Sequence, residues 1–406
     1  MPRIQRIELP EKNTRLRWIL AGVLLVVGLV AIAIGINSCL QPETGWQEVQ
    51  ASTNKPNCSE DFLFNYCYGQ SGLEPTLERR QVVTCYSDAA VKAYQLFSLY
   101  VEDSELGNLT KLNAGVNTPV AVEPELYSAL QVITEAEDRH LFLAAVYEEY
   151  RQLFSADSEG QAAEHDPSRN EAVLSYIQQA AAFAADPAHV SVELLADGRA
   201  QLTVSQEYLA FAKENGIENF LDFGWMKNAF IADYLAQTLT QAGHTNGYLA
   251  SFDGFTRNLD TRGIAYSQNL FDRLENEIYL PAVLQYDSPM SIVFLRSFPM
   301  SSRDSENYYQ FSDGRIATAL LDPTDGMSKS ATDNLVSYSK NAGCAEIALA
   351  LAPVFIADQL DTGTLNDLTL RQVYSIWFED SCLFYNEEAA DITISSDASY
   401  QKKQAK

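Results

Sequence analysis

A chain of 406 residues with 28 Lys+Arg against 54 Asp+Glu, a net charge of −26 and 47% hydrophobic side chains is neither a disulfide mini-protein nor a disordered chain. An acid excess of this size repels phosphate backbones, and no basic patch with interleaved aromatics offsets it, so nucleic acid is excluded as a partner. The charge divides at residue 17: residues 1–17 carry five basic and two acidic side chains, which leaves the remainder at −29.

Residues 18–36 form a run of 19 residues without charge, about 28 Å of helix and long enough to cross a bilayer. Basic residues precede it, and Glu43, Glu48 and Glu60 follow. The positive-inside rule then sets a cytoplasmic stub at 1–17, a single-pass signal anchor at 18–37 in the cell membrane, and the bulk of the chain outside. A cleaved signal peptide is the rival reading, although no Ala-x-Ala-like site is present. A lipoprotein signal ending at Cys39 is the other, with Asn37 unusual before its cleavage position.

Six cysteines and four histidines occur without a CxxC pair or metal-motif spacing, which argues against zinc. Outside the cytoplasm disulfides are permitted, and Cys58 with Cys67 is the best local candidate. With Cys39 set aside at the membrane, five cysteines leave at least one thiol unpaired.

Residues 38–80, rich in Pro, Asn, Ser, Gly and Glu, are expected as an extracytoplasmic linker. The domain is expected over 81–386, with a flexible tail at 387–406. Apolar spacing predicts helices over 88–100 and through 124–154, a polar loop at 155–170, and a helix at 171–184. Residues 190–195 and 200–204 alternate like a hairpin across Gly198. A helix at 227–242, strands at 247–252, 291–299 and 307–312, and an apolar core helix at 344–357 follow. The class is α+β, or mixed α/β, without regular βαβ spacing or internal repeats.

Several segments resemble, in order, motifs of the ApbE family, the FAD:protein FMN transferases. Residues 107–113 (Gly-Asn-Leu-Thr-Lys-Leu-Asn) are similar to the family's S-x-[IL]-x-x-[LI]-N, with Gly107 in place of Ser. Residues 221–233 (Leu-Asp-Phe-Gly-Trp-Met-Lys-Asn-Ala-Phe-Ile-Ala-Asp) resemble L-D-[LF]-G-G-I-A-K-G-Y-A-V-D. There Asp222, Gly224 and Asp233 keep their spacing, while Trp225 and Ala229 replace glycines and Asn228 replaces Lys, with Lys227 one position early. Asp253-Gly254 resembles the Gly-Gly-[DN] turn, and Ser301-Ser302-Arg303-Asp304 looks like T-S-G-D. Residues 313–326 look like D-G-[KR] through H-I-I-D-P-x-T-G, with Asp322 retained and Ala319 in place of His. Ala345-Glu346 through Ala350 falls where the family has A-D-A-L-x-T.

The resemblance spans about residues 85–357 and implies an ApbE-like (T-fold-like) domain that is membrane-tethered and acts on an extracytoplasmic protein partner. It implies FAD as substrate and Mg²⁺ as cofactor, with Asp222, Gly224, Asp253, Gly254, Ser301, Ser302 and Asp322 toward the flavin nucleotide and Glu346 with Asp253 toward the metal. Losses of functional residue types in four separate motifs point to a remodelled site that does not perform standard FMN transfer. A divergent Mg-dependent FMN transferase or FAD pyrophosphatase, and a non-flavin scaffold or adhesin-like protein, are the alternatives.

Plainer readings stand beside these. Asp222 before a Gly turn serves as a helix cap, Asp322-Pro323-Thr324-Asp325-Gly326 as a turn, and Glu346 as a surface charge. Phe252, Phe255, Tyr308 and Tyr309 suit cross-strand packing as well as ring stacking. His140 is expected to face solvent from a helix. G-x-S-x-G, P-loop, H-E-x-x-H and EF-hand signatures are missing.

Overall fold

The computed structural model describes Gly28 and residues 44–405, except 102–104, 276, 305, 388 and 396–398. The stub at 1–17 and the span at 18–37 therefore lie, Gly28 apart, outside the described residues. Among the described residues no helix is long and apolar enough to cross a membrane.

The fold opens with β1 (Gly45–Glu48), β2 (Phe62–Tyr68), α1 (Pro75–Phe97), α2 (Leu109–Ala114), β3 (Val120–Ala121), α3 (Pro124–Glu135), α4 (Ala144–Phe154), α5 (Glu159–His165) and α6 (Glu171–Ala185). Next come β4 (Val190–Leu195), β5 (Arg199–Val204), α7 (Gln206–Asn215), α8 (Lys227–Gln241), β6 (Gly247–Ser251), β7 (Phe255–Asn258), β8 (Tyr266–Leu274), β9 (Glu277–Tyr286), β10 (Met290–Arg296), β11 (Tyr308–Gln310) and β12 (Ile316–Thr318). It closes with β13 (Asn334–Ser339), α9 (Cys344–Phe355), α10 (Thr362–Leu368), β14 (Tyr374–Glu379), β15 (Cys382–Tyr385), β16 (Asp391–Ile394) and β17 (Gln401–Gln404).

A nine-stranded sheet runs β1-β2-β6-β7-β10-β13-β14-β15-β17, antiparallel except where β17 pairs parallel with β15. Its central strand β10 is buried at every position. The period of two divides that strand between two cores: Val293 and Leu295 join the helical side, and Met290, Ile292 and Phe294 join the other. Helices α8 and α9 pack on the first face, with α1 against α8. The smaller sheet β16-β9-β8 contributes Leu270, Ala282, Leu284 and Ile392 to the second.

The stretch expected as a linker instead supplies β1 and β2. Phe64, Tyr66 and Tyr68 are buried there, and the buried Glu78 of α1 accepts from the Tyr66 hydroxyl (3.1 Å) and the Gly69 amide (2.6 Å). Residues expected as a tail form β16 and β17. The expected continuous helix through 124–154 is broken by a 3-10 turn at His140–Phe142, and the expected polar loop holds the short α5, capped by Ser158. The hairpin forms as expected, with Gly198 at φ +74° in its turn.

All five described cysteines are free. Cys58 precedes β2 and Cys67 lies near its far end. The five residue steps from Phe62 to Cys67 span about 17 Å of extended chain, beyond the reach of a disulfide.

Candidate functional site

Two clefts meet above the start of α8. The larger, about 930 Å³, runs between the β1–β2 connection and the Phe252–Asp253 turn; the smaller, about 440 Å³, reaches Arg151, Asp222 and Ala319. Both are lined by Gly224, Lys227, Glu306 and Asn307.

The loop before α8 is held by α2. Asn113, buried, accepts from the Phe220 and Leu221 amides (2.9 Å each) through Oδ1, and its Nδ2 donates to the Leu221 carbonyl at 2.9 Å. One planar amide thus satisfies three backbone groups that a buried loop would otherwise leave unpaired. Asp222 follows, its amide bonded to the Leu141 carbonyl and its Oδ1 accepting from the Gly224 amide at 2.9 Å. The other carboxylate oxygen is ion-paired with Arg151 of α4. Gly224 has φ +52°, and a Cβ there would sit 2.3 Å from the Tyr147 ring, so glycine is required twice over.

The second wall is the turn between β6 and β7. Gly254 has φ +116° and a Cβ there would stand 2.3 Å from the Phe294 carbonyl oxygen. This close approach to β10 fixes Asp253 at the cleft. Asn228 of α8, 8% exposed, donates to Asp253 Oδ2 at 2.9 Å. The Oδ1 atoms of both residues have no hydrogen-bond partner among the described residues. Burial pushes the Asp253 carboxyl above its ordinary pKa despite the hydrogen bonds it receives, and burial, with Glu306 and Glu60 nearby, raises Asp61 against the pull of Lys227.

The Ser301–Asp304 segment is anchored from below. Arg296, almost fully buried, donates to the Phe252 carbonyl at 2.9 Å and to Asp304 Oδ1 at 2.7 Å, and Asp304 Oδ2 accepts from the Met300 and Ser301 amides. Ser302 and Arg303 consequently face the larger cleft, with the Arg303 guanidinium 4.0 Å over the Phe252 ring.

Of the residues singled out from sequence, Asp222, Gly224, Asp253 and Ser302 line the joined clefts, Gly254 supports Asp253 from behind, and Ser301 is tied by its backbone. Asp322 lines neither cleft: it accepts from Thr324 and from Lys329 Nζ (2.8 Å), which hold its carboxyl below the ordinary range although burial opposes this. Glu346 is exposed on the first turn of α9 and also lines neither. The free amides at that helix start, Cys344 and Ala345, are taken by Asp233 at 2.9 Å each, and Asp233 pairs with Arg257. Among the described residues no three His, Cys, Asp or Glu side chains gather as a metal site.

His140, expected to face solvent, is buried with Nδ1 2.9 Å from Asp138 and its ring edge-on to Trp225. Phe255 is core, whereas Phe252 and Lys227 line the larger cleft. Sequence reasoning missed Asp61, Arg151 and Glu306. The acidic pair Glu60-Asp61 before an apolar run was the available signal, hidden by its position in the expected linker.

FAD fits these residues in volume but not in charge. Five carboxylates (Glu48, Glu60, Asp61, Asp253, Glu306) line the larger cleft against two cations, Lys227 and Arg303. A diphosphate there is repelled.

No family model matches this sequence, and no curated protein matches it. Solved structures do. The ApbE protein of Thermotoga maritima superposes with a TM-score of 0.57 at 14% identity, covering 87% of this chain and 97% of that one. A mutant of the flavin transferase ApbE from Vibrio cholerae gives 0.51 at 12% identity, covering 86% and 97%. With two-faced burial of one long antiparallel sheet and its clefts at the start of α8, this chain has an ApbE-like fold.

Proposed function

We propose that this chain is a membrane-anchored, extracytoplasmic ApbE-fold binding protein whose remodelled cleft does not carry out standard FMN transfer. The observation that supports it is the separation of the expected metal donors. Asp253 stands in the cleft bonded to Asn228, while Glu346 points to solvent from a helix start already occupied by Asp233 and Arg257. A hard Mg²⁺ takes oxygen ligands gathered around one point, and transfer of a nucleotidyl group depends on charge neutralised at the diphosphate.

The full-length chain in detergent, given FAD and Mg²⁺ with a Ser- or Thr-containing acceptor peptide, is expected to release no AMP and to leave the peptide unflavinylated. Metal-dependent turnover refutes the reading. A second reading, a divergent Mg-dependent flavin transferase, is favoured by the convergence of Asp222, Gly224, Asp253 and Ser302 on one pair of joined clefts, and the same assay decides for it. The anchoring is tested by protease protection: residues 40–406 are expected to be digested from outside intact cells, and protection of that region overturns the topology.

A further inference from the structure

We propose that the larger cleft binds an alkylammonium group, seated between the unpaired side-chain oxygens of Asp253 and Asn228. The inference rests on the reading of this cleft as a binding site and names its ligand class.

The hydrogen bond from Asn228 Nδ2 to Asp253 Oδ2 fixes the amide, so Asn228 presents its oxygen and not its NH₂. Asn228 is 8% exposed, lines the cleft, and its Oδ1 has no partner among the described residues; Asp253 Oδ1 is in the same condition. Two buried acceptors on hydrogen-bonded neighbours lack a donor, and leaving buried polar groups unsatisfied is costly. Phosphate and carboxylate ligands offer none.

The surroundings select a cation. Glu48, Glu60, Asp61 and Glu306 line the same cleft, and no ion pair to any of them is formed within 4 Å among the described residues. Arg303 is drawn over Phe252, and Arg296 behind Asp253 is committed to Asp304. Lys227 is left as the other cation lining the cleft. An ammonium brings three N–H donors and needs no cluster of metal-type ligands, which the described residues lack. Val49, Leu63 and Phe252 on the walls suit an alkyl stem.

The test is calorimetric titration of the full-length chain in detergent at low salt with spermidine and, separately, with Nα-acetyl-lysine amide. Saturable one-site binding of either probe is expected. Spermidine alone marks a free polyamine as the source, and the lysine analogue marks a protein side chain. Asp253→Asn and Asn228→Leu are each expected to weaken binding at least tenfold, whereas Glu207→Gln, which removes a surface carboxylate 81% exposed, leaves it unchanged. Asp61→Asn, weakening binding in the same direction, serves if circular dichroism shows either cleft variant unfolded. Three results overturn the inference: no binding of either probe, equal loss in Glu207→Gln and Asp253→Asn, or one-site displacement of spermidine by Mg²⁺ alone. FMN release from FAD overturns the non-transferase reading instead and leaves the amine titration to be judged on its own result.

Discussion

Replacing Asn113 by leucine removes the amide that holds the Asp222 loop while keeping the branched side-chain shape. Three buried hydrogen bonds of 2.9 Å disappear, leaving the Phe220 and Leu221 amides and the Leu221 carbonyl unpaired in a site where Asn113 is only 3% exposed. At about 1–2 kcal/mol for each orphaned group, the loss sums to about 3–6 kcal/mol, a large part of the roughly 5–15 kcal/mol that stabilises a domain. Urea unfolding followed by circular dichroism reads the total, and hydrogen exchange at Phe220 and Leu221 reads the locality. Asn113→Asp separates the contributions, because a carboxylate still accepts from both amides but, when ionised, cannot donate to the Leu221 carbonyl. A loss under 1 kcal/mol for Asn113→Leu, with both amides still protected, would refute the argument.

Gly254→Ala must place a Cβ 2.3 Å from the Phe294 carbonyl at φ +116°; a loss of about 2–4 kcal/mol is expected in thermal melts. For Asp253 the folded pKa is raised by burial, so the ionised carboxylate is a burden that grows as pH climbs through that value. Asp253→Asn is accordingly expected to gain stability relative to the parent between acid and neutral pH, and a flat difference in urea midpoints across that range contradicts it. Cys344 is fully buried with its thiol pushed well above the ordinary range by burial, whereas Cys85 is half-buried. Iodoacetamide is expected to label Cys85 first in the native protein and all five described cysteines after unfolding without reductant; two protected thiols in mass spectra would restore the Cys58–Cys67 disulfide.

Much of the helical side was legible because its signals are local. The apolar spacing in α6, α8 and α9 and the Gly198 turn each act within one element. What failed depended on distant partners. The run from Phe62 to Tyr68 is apolar enough to be a strand, yet it is held between β1 and the distant β6, the latter in a register that sets Phe62 opposite Ser251. Strand β17, Gln-Lys-Lys-Gln, has no alternation at all and is ordered by its pairing with β15. His140 was misjudged because its burial depends on Asp138 and Trp225 closing around it. Site residues on the Asp222 loop could be found by spacing, whereas Asp61 and Arg151 enter the clefts through tertiary packing alone.

The parallel pairing of β17 with β15 gives four polar residues a protective role. Strand β15, with Leu383 fully buried, would otherwise present an open row of backbone donors and acceptors at the sheet boundary. Gln401–Gln404 occupies that row, and its two lysines lie over the Tyr385 and Phe384 rings of β15, placing charge at the margin that discourages a neighbouring molecule from adding a strand. Trimming residues 401–406, which spares Tyr400 with its hydrogen bond to the buried Asp272 and its packing on Phe378, therefore threatens solubility more than folding: it leaves an adhesive margin on which copies of the chain can stack.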